Sequence, residues 1–189
     1  MLETNHSLGP LKVAIPQKSV IDIGCGMNKV PGAYGVDIHP YTGVDQVVDL
    51  DKLPWALKDN SFDFLVVRHV VEHVGNLVGF MRELHRISRP GATVYFETPH
   101  FSSLNSWNDP THCRHLSSRW AEGFREGEYL AAQAGTFRIR QSTVTFGKSW
   151  RGRMGAFLVK LRGLEKWEKN AAFTYPGLDV VTMLEVVKN

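Results

Sequence analysis

The chain has little cysteine and no long apolar run, and both shortages limit what it can be. Its 189 residues include two cysteines, Cys25 and Cys113, too few for a disulfide framework, so we expect a reducing, cytoplasmic location. No stretch approaches the roughly 18 consecutive apolar residues of a membrane span. Residues 1–19 lack the basic start and apolar run of a secretory leader. We therefore expect a single domain, residues 1–189, with no membrane span.

Two common nucleotide-binding patterns are missing or incomplete. No G-x-x-x-x-G-K-[ST] occurs, which excludes a P-loop. The dinucleotide pattern G-x-G-x-x-G begins at Gly24 and Gly26, but Lys29 stands where its third glycine belongs. The acid Asp37 follows Gly26 by 11 residues, whereas that pattern expects an acid about 20 residues further on. A nicotinamide cofactor is therefore disfavoured.

What the sequence does contain is a strand, a glycine turn and a second strand ending on an acid. The apolar run Val20–Ile23 is typical of a strand covered on both faces. Gly24 and Gly26 lack a Cβ, so the backbone can turn sharply and approach a ligand closely. Asp37 ends the second strand and can accept hydrogen bonds from two ribose hydroxyls. This unit predicts a pocket for a nucleoside-containing cofactor.

Strands and helices alternate after this unit. The apolar run Phe62–Val67 predicts a strand, and the stripe of apolar residues in Asn76–Ser88 predicts a helix that Pro90 ends. A further strand is expected at Thr93–Glu97. Alternation of this kind favours parallel pairing with right-handed crossovers.

Five ordered motifs resemble those of class I S-adenosylmethionine-dependent methyltransferases, over about residues 19–100. They are Asp22-Ile-Gly24-Cys-Gly26, Gly35-Val-Asp37, Asp49-Leu50 with Leu53-Pro54-Trp55 and Asn60-Ser-Phe-Asp63, His69-Val-Val-Glu-His73, and Arg89-Pro-Gly91 followed by Thr93–Glu97. A weaker likeness, carried by Pro99-His100 and Asp109-Pro-Thr-His112, is to small bacterial enzymes that methylate sugars or polysaccharide precursors.

The resemblance implies S-adenosylmethionine as the cofactor and a Rossmann-like α/β fold. That fold has a doubly wound, mostly parallel sheet, closed by a C-terminal antiparallel pair that we expect at Phe137–Phe146 and Asp179–Val187. One departure is expected: only Met27–Ala33 is available for the first helix, and Pro31-Gly32 interrupts it. The first helix must therefore be shortened to one turn or absent. The methionine end of the cofactor is then more exposed, or is covered by another segment such as the N-terminal extension, residues 1–18.

The resemblance and the strand ends together indicate the cofactor-binding residues. We expect Asp22 to order the glycine turn by accepting backbone N–H bonds, and Cys25 to be a small filler and not a nucleophile. Arg68 binds the methionine carboxylate or forms a structural salt bridge. His69 touches the methionine moiety or starts a helix without contacting ligand. The predicted set is Asp22, Gly24, Cys25, Gly26, Asp37, Ile38, Asp49, Leu50, Arg68 and His69.

Residues 98–135 are predicted to form a substrate or lid segment, with a polar loop before a helical stretch, Ser118–Gln133. In one reading, His100, His112 or His115 is a catalytic general base, Asp109 orients the ring and Arg114 holds an anionic substrate. In a second, His100, Asp109, His112 and His115 hold a divalent metal, although H-x-x-H without a second pair is weak and no metal is predicted. In a third, the histidines only brace a loop. Glu72 and His73 are predicted to be structural.

A basic segment lies towards the C-terminus. Residues 137–169 contain nine Lys or Arg against two Glu, a net +7 that leaves −4 for the remainder. We expect residues 147–177 to be an insertion between the last two strands, with weak helical character over Met154–Asn170. This is either a solvated basic face or a surface for a phosphorylated substrate, an anionic membrane or nucleic acid.

The predicted function is methyl transfer from S-adenosylmethionine to a small polar acceptor. The histidine-rich loop favours a hydroxyl, on a saccharide, nucleotide-sugar or other phosphorylated metabolite. The basic insertion motivates a second reading, an RNA methyltransferase. That reading is disfavoured because Arg68-His69 replaces the N-P-P-[YFW] signature of amino-group methylation. A third is a cofactor-binding scaffold without catalysis. The sequence leaves the oligomeric state open.

Overall fold

The computed structural model describes residues 7–8, 13–14 and 19–188. A short antiparallel pair, β1 (Ser7–Leu8) and β2 (Val13–Ala14), falls within the predicted N-terminal extension. The rest of that extension lies outside the described residues. Within the described residues the main sheet has seven strands: β3 (Val20–Ile23), β4 (Tyr34–Asp37), β5 (Gln46–Val47), β6 (Phe62–Arg68), β7 (Ser88–Pro99), β8 (Thr136–Val144) and β9 (Asp179–Val187).

The sheet order is β5-β4-β3-β6-β7-β9-β8. The first five of these strands pair in parallel, and β9 pairs antiparallel with both β7 and β8. This confirms the predicted mostly parallel sheet with a C-terminal antiparallel pair. The carboxyl ends of β3, β4 and β6 therefore lie side by side, which is where open α/β sheets bind ligands.

The helix predicted at Asn76–Ser88 is α1 (Leu77–Ile87). The Asn76 side chain accepts a hydrogen bond from Gly79 N at 2.9 Å and caps its first turn. Its apolar stripe packs into the core, where Phe80, Leu84 and Ile87 are fully buried. Between β3 and β4 the chain forms turns and no helix, as expected from the short and proline-interrupted connection.

The stretch predicted to be helical at Ser118–Gln133 is mostly irregular, and that prediction is wrong. It contains a 3-10 turn at Glu122–Phe124 and leads into α3 (Ala131–Ala134). Gly127 has a φ of +85°, which a continuous helix does not allow. Phe124 is buried as expected, but Tyr129 is 71% exposed and does not pack inward.

The basic insertion forms two helices, α4 (Trp150–Arg162) and α5 (Leu164–Asn170). Gly163, at φ +85°, separates them, so they do not share one apolar face. Trp167 is buried against β8 and β9, whereas Phe157 and Leu161 of α4 are 56% and 64% exposed. A four-residue helix, α2 (Asn105–Asn108), lies in the predicted substrate segment. None of the described helices is both long and apolar enough to span a membrane.

Candidate active site

The glycine turn after β3 is held by the neighbouring strand. The N–H groups of Gly24 and Cys25 both donate to Val36 O, at 2.8 and 3.1 Å. Gly24 and Gly26 have φ values of +66° and +53°, in the left-handed region that favours glycine. A Cβ on Gly24 would meet Val70 Cγ2 at 2.3 Å, whereas one on Gly26 would meet nothing within 4 Å. The turn is therefore packed on the Gly24 side and open at Gly26.

Asp37 faces this turn from the end of β4. Its Oδ2 accepts from Gly26 N at 2.8 Å, and its Oδ1 accepts from His39 N at 3.0 Å. A carboxylate has about four lone-pair directions, so both oxygens can still accept from hydroxyl groups. The turn and the acid predicted from sequence to share a pocket are thus joined by a hydrogen bond.

The loop after β5 completes the side of the site nearest to Asp37. Val48 N donates to Asp37 O at 2.8 Å and brings Asp49 and Leu50 next to the strand end. Asp49 Oδ1 accepts from Asp51 N at 3.1 Å, and this bond, with that from Lys52, lowers the pKa of Asp49. Ile38, from the predicted cofactor set, is 53% exposed beside Asp37. Its apolar side chain is available to cover a flat ligand.

Asp22 orders the far side of the turn, as predicted. It is 1% exposed, and its Oδ2 accepts from Val30 N at 2.8 Å and from Arg68 Nη2 at 3.2 Å. Burial raises the pKa of Asp22, although the Val30 N–H and the Arg68 charge oppose that rise. Arg68 also donates to Asn28 O at 2.9 Å. Arg68 therefore makes the structural salt bridge that was one of its two predicted roles.

Arg68 has donors that its bonds to Asp22 and Asn28 leave free, because both of those bonds use Nη2. Its Nε is buried and has no hydrogen-bond partner among the described residues. Such an orphaned donor is unfavourable unless another group accepts from it. Arg68 borders a cleft whose lining residues are Gly24, Cys25, Asn28, Arg68, His69 and Glu97. A carboxylate entering this cleft would satisfy the arginine.

His69 projects into the same cleft from the end of β6. Its φ of +53° is unusual for a residue other than glycine, and its N–H donates to Glu97 O at 2.7 Å. The ring is 53% exposed, and Nδ1 lies 3.5 Å from Glu72 Oε1. The Glu72 carboxylate raises the pKa of His69, against the opposing effect of burial. Backbone strain at a ligand-facing strand end is typical of functional positions.

His100 lies inside the protein and away from solvent. It is 0% exposed, with Nδ1 2.7 Å from Ser102 Oγ and Nε2 3.1 Å from Glu168 Oε1. Its ring packs on Phe101 and Trp167. Both ring nitrogens are therefore engaged, and His100 connects the end of β7 to α5, which corresponds to the predicted bracing role and not to a base.

His112 and His115 both contact Ser106 in α2, but they lie in different surroundings. His112 Nδ1 is 2.9 Å from Ser106 O, and its ring meets the His73 ring edge-on at 4.6 Å. His115 Nδ1 is 2.9 Å from Ser106 Oγ, and its ring stacks on Trp107 with centroids 3.5 Å apart. Asp109 accepts from the Thr111 hydroxyl and N–H, at 2.6 and 2.8 Å, and does not orient a histidine directly. The four predicted metal ligands do not converge.

Arg114 clamps the histidine-rich loop onto the turn after β6. Its guanidinium donates to the carbonyl oxygens of Val71, Val74 and Gly75. These contacts occupy the group that we expected to hold an anionic substrate. Arg114 instead fixes the position of His112 relative to the residues that follow His69.

Glu72, which was predicted to be structural, also lies beside His69 at the cleft. Its carboxylate is 2% exposed, accepts from Thr98 Oγ1 at 2.9 Å, and leaves Oε1 without a hydrogen bond from any described residue. Its backbone O accepts from Cys113 N at 2.8 Å. Glu72 thus joins the cleft, the sheet and the histidine-rich loop. Its position between two histidines in His69-Val-Val-Glu-His73 was the available signal.

Comparison with known proteins agrees with this geometry. Residues 6–144 match the sequence model of a family described as a methyltransferase domain. An S-adenosylmethionine-dependent methyltransferase from Mesorhizobium loti has a TM-score of 0.57 at 16% identity, with 89% of this chain and 90% of that chain covered. One from Archaeoglobus fulgidus has a TM-score of 0.58 at 18% identity, covering 89% and 86%. At these identities the likeness is one of fold.

Two further proteins indicate how varied the chemistry of relatives is. The [4+2]-cyclase SpnF has a TM-score of 0.57 at 15% identity, covering 91% of this chain and 76% of its own. Norajmaline N-methyltransferase from Rauvolfia serpentina is 28% identical over 41% of this chain. The match spans 34% of that curated relative's own length.

Proposed function

Because the chain belongs to the class I S-adenosylmethionine-dependent methyltransferase family, through the methyltransferase domain matched over residues 6–144, we propose that it methylates a hydroxyl of a small polar acceptor. Family and sheet topology were both expected from the sequence and are confirmed. The acceptor and the roles of the site residues belong to the proposal.

The observation that carries the proposal is the bond between the glycine turn and Asp37. Gly26 N and Asp37 Oδ2 lie 2.8 Å apart beside open space. Asp37 would hold the ribose, and Ile38 with the Asp49-Leu50 loop would flank the adenine. Arg68 would receive the methionine carboxylate through guanidinium N–H groups that Asp22 and Asn28 leave free. Bound there, S-adenosylmethionine supplies an electrophilic methyl group on its sulfonium.

The histidine-rich loop supports an oxygen acceptor. A hydroxyl must lose its proton as it attacks, so a base near the acceptor accelerates transfer, whereas a neutral amine needs less assistance. His112 and His115, unlike His100, each have a ring nitrogen with no hydrogen bond to the described residues. A saccharide, a nucleotide-sugar or another phosphorylated metabolite remains our proposed acceptor class, in a reducing cytoplasmic compartment.

Calorimetry with S-adenosylmethionine and S-adenosylhomocysteine tests the cofactor site directly. Asp37→Ala is expected to weaken both ligands at least tenfold, because it removes the acceptor of the ribose hydroxyls. Asp63→Ala is the matched control. Asp63 lies near the amino end of β6, opposite the strand ends that form the site, and pairs with Arg89 at 2.6 Å. Absence of binding by the unmodified chain at millimolar ligand would overturn the proposal.

Turnover is then measured with a panel of sugar nucleotides and related hydroxyl compounds. Transfer of a labelled methyl group to an oxygen supports the proposal, and transfer to a nitrogen contradicts the hydroxyl assignment. Cofactor binding without transfer to any acceptor would favour the non-catalytic scaffold.

The exposed surface of α4 favours one second candidate, an RNA methyltransferase. Arg151, Arg153, Lys160 and Arg162 are exposed on this helix together with Trp150 and Phe157. Positive charge interleaved with aromatic rings is suited to single-stranded nucleic acid.

A further inference from the structure

A group of possible ligand atoms lies beside the cleft, where the histidine-rich loop meets the turn after β6. Glu72, His73 and His112 each offer one such atom, and the three atoms lie within 4.8 Å of one another. His112 belonged to the metal-binding set considered from sequence, but Glu72 and His73 did not. His112 belongs to the histidine-rich loop, whereas Glu72 and His73 belong to the turn after β6, and folding brings the three together.

The hydrogen-bond network fixes how His73 presents its ring. The Thr111 hydroxyl donates to Asp109 Oδ1 at 2.6 Å, so its oxygen is left to accept from His73 Nδ1, 2.9 Å away. The Thr111 hydrogen bonds lower the pKa of Asp109, which is consistent with an ionised carboxylate at the end of this chain of bonds. His73 therefore carries its proton on Nδ1 and has a lone pair on Nε2.

His112 is fixed in the same way by a different partner. Its Nδ1 lies 2.9 Å from Ser106 O, a carbonyl that can only accept. The proton is therefore on Nδ1, and Nε2 again has the lone pair. Hydrogen bonding of one ring nitrogen to a backbone carbonyl, or towards a carboxylate, is how metal-binding histidines are usually oriented.

Glu72 brings a buried carboxylate to this group. It is 2% exposed, and its Oε1 accepts no hydrogen bond from the described residues, although His69 Nδ1 lies 3.5 Å from it. Leaving a buried polar atom unsatisfied costs about 1–3 kcal/mol, and more when it is charged.

We propose that Glu72, His73 and His112 bind one divalent transition-metal ion of the zinc type. Two imidazole nitrogens and a carboxylate oxygen suit such an ion and leave a position open for a further ligand. Donors about 2.1 Å from a tetrahedral ion lie roughly 3.4 Å apart. The side chains therefore need to close by about an ångström, within reach of small χ rotations. Arg114 and Thr111 are the positioning residues of this site.

The location of the ion would connect it to the methyl acceptor, a role that rests on the proposed function. Glu72 Oε1 is 3.5 Å from Nδ1 of His69, which lines the cofactor cleft. An acceptor hydroxyl on the open coordination position would lose its proton more readily, because a bound cation lowers the pKa of the oxygen it holds. His112 would then be a ligand and not a free base.

The test is titration of the untagged, chelator-treated chain with Zn²⁺ and Co²⁺, without cofactor or acceptor, followed by calorimetry and by the cobalt absorption spectrum. We expect one ion to bind per chain. We also expect an intense visible absorption band from the bound Co²⁺, which indicates a low coordination number. His112→Ala and Glu72→Gln should each weaken Zn²⁺ at least tenfold. His115→Ala, which removes a histidine from the same loop, should leave the Zn²⁺ affinity unchanged.

Thr111→Val supplies a milder variant in case removal of a ligand unfolds the loop. It keeps the three proposed ligands but removes the Thr111 hydroxyl that joins His73 to Asp109. The Zn²⁺ affinity should fall about tenfold, as it does when a hydrogen bond to a metal ligand is lost. Circular dichroism of the metal-free variants checks that each is folded. The proposal is overturned if the unmodified chain takes up no Zn²⁺, if all four variants bind it equally, or if Mg²⁺ binds as tightly. Because cofactor is absent, these outcomes are independent of whether methyl transfer occurs.

Discussion

At the scale of single residues, most polar groups of the site are fixed by backbone atoms. Asp37 and Asp22 each accept from an N–H of the turn between β3 and β4, and Arg114 donates to three carbonyls. Such bonds hold a side chain in place before any ligand arrives. This preorganisation reduces the entropy lost on binding.

The two glycines of the turn should respond differently to the same substitution. Gly24→Ala combines a left-handed φ with a Cβ 2.3 Å from Val70, and should lower the free energy of unfolding by about 2–4 kcal/mol. Gly26→Ala has the backbone strain alone, about 1 kcal/mol, but fills the space beside Asp37. Gly26→Ala should therefore weaken cofactor binding strongly while lowering the free energy of unfolding only slightly.

Chemical denaturation and calorimetry with S-adenosylhomocysteine on both variants separate these effects. Gly43→Ala is the control, since Gly43 also has a positive φ and open space but lies in another loop. Equal stability losses for Gly24→Ala and Gly43→Ala would show that the Val70 contact does not matter.

At the scale of elements, α1 is attached to the segment before β6 by backbone hydrogen bonds to Glu83 and Arg86, two helix residues that also form an ion pair with each other. Glu83, 4% exposed, accepts from Trp55 N and from Arg86, each at 2.7 Å. Arg86 also donates to Leu57 O and Trp55 O. Burial opposes ionisation of Glu83, but the bonds from Arg86 and Trp55 outweigh it, so the pKa of Glu83 lies below its ordinary value.

A lowered pKa makes this contribution to stability dependent on pH. The stabilisation by Glu83 is complete above about pH 4.3, the pKa of a glutamate in the unfolded chain. It is lost as the pH falls through the lower pKa that Glu83 has in the folded protein. Glu83→Gln should lower the free energy of unfolding at pH 7 by about 3 kcal/mol and flatten its decline in acid. Urea denaturation across pH 3–7 measures both, with the exposed Glu126→Gln as control. An unchanged acid profile in Glu83→Gln would contradict this account.

The insertion contacts the rest of the fold through both of its helices. Trp167 and Glu168 of α5 meet His100, and Ser118 N donates to Glu168 Oε1 at 2.7 Å. The longer helix α4 packs Leu158 and Val159 on the apolar cluster around Trp167, while its Phe157 and Leu161 are exposed.

At the scale of the whole molecule, charge is divided unevenly. All nine basic side chains of residues 137–169 are exposed, and some are paired, with Arg138 and Arg140 both contacting Glu185. The cleft beside the glycine turn, by contrast, is lined by charged residues of both signs, Arg68 and Glu97. The basic face and the cleft therefore differ in charge.

This division allows the RNA reading to be tested separately. If the face binds single-stranded RNA, affinity should fall steeply with salt, because each phosphate contact releases a counterion. Charge reversal at Arg151 and Arg153 should reduce binding several-fold, whereas reversal at Arg125, an exposed arginine outside the segment, should not. Filter binding at several salt concentrations measures this. Absent or salt-insensitive retention would leave a solvated basic face.

The sequence by itself determined the main strands, their mostly parallel pairing and the glycine turn after β3. These depend on apolar runs, glycines and the Asp37 position, which are local in the chain and so are visible in it. The missing first helix was likewise evident from the short connection containing Pro31-Gly32. The family followed from the same residues, because its motifs lie at strand ends.

Only the tertiary structure decided what the histidines do. His100 is held in the interior by Glu168, far along the chain, whose carboxylate accepts a hydrogen bond from its ring Nε2. Arg114 donates to carbonyls about 40 residues before it. His112 likewise lies beside Glu72 and His73, which are about 40 residues earlier in the chain. Side-chain roles depend on such distant partners and on burial, neither of which a local sequence pattern specifies.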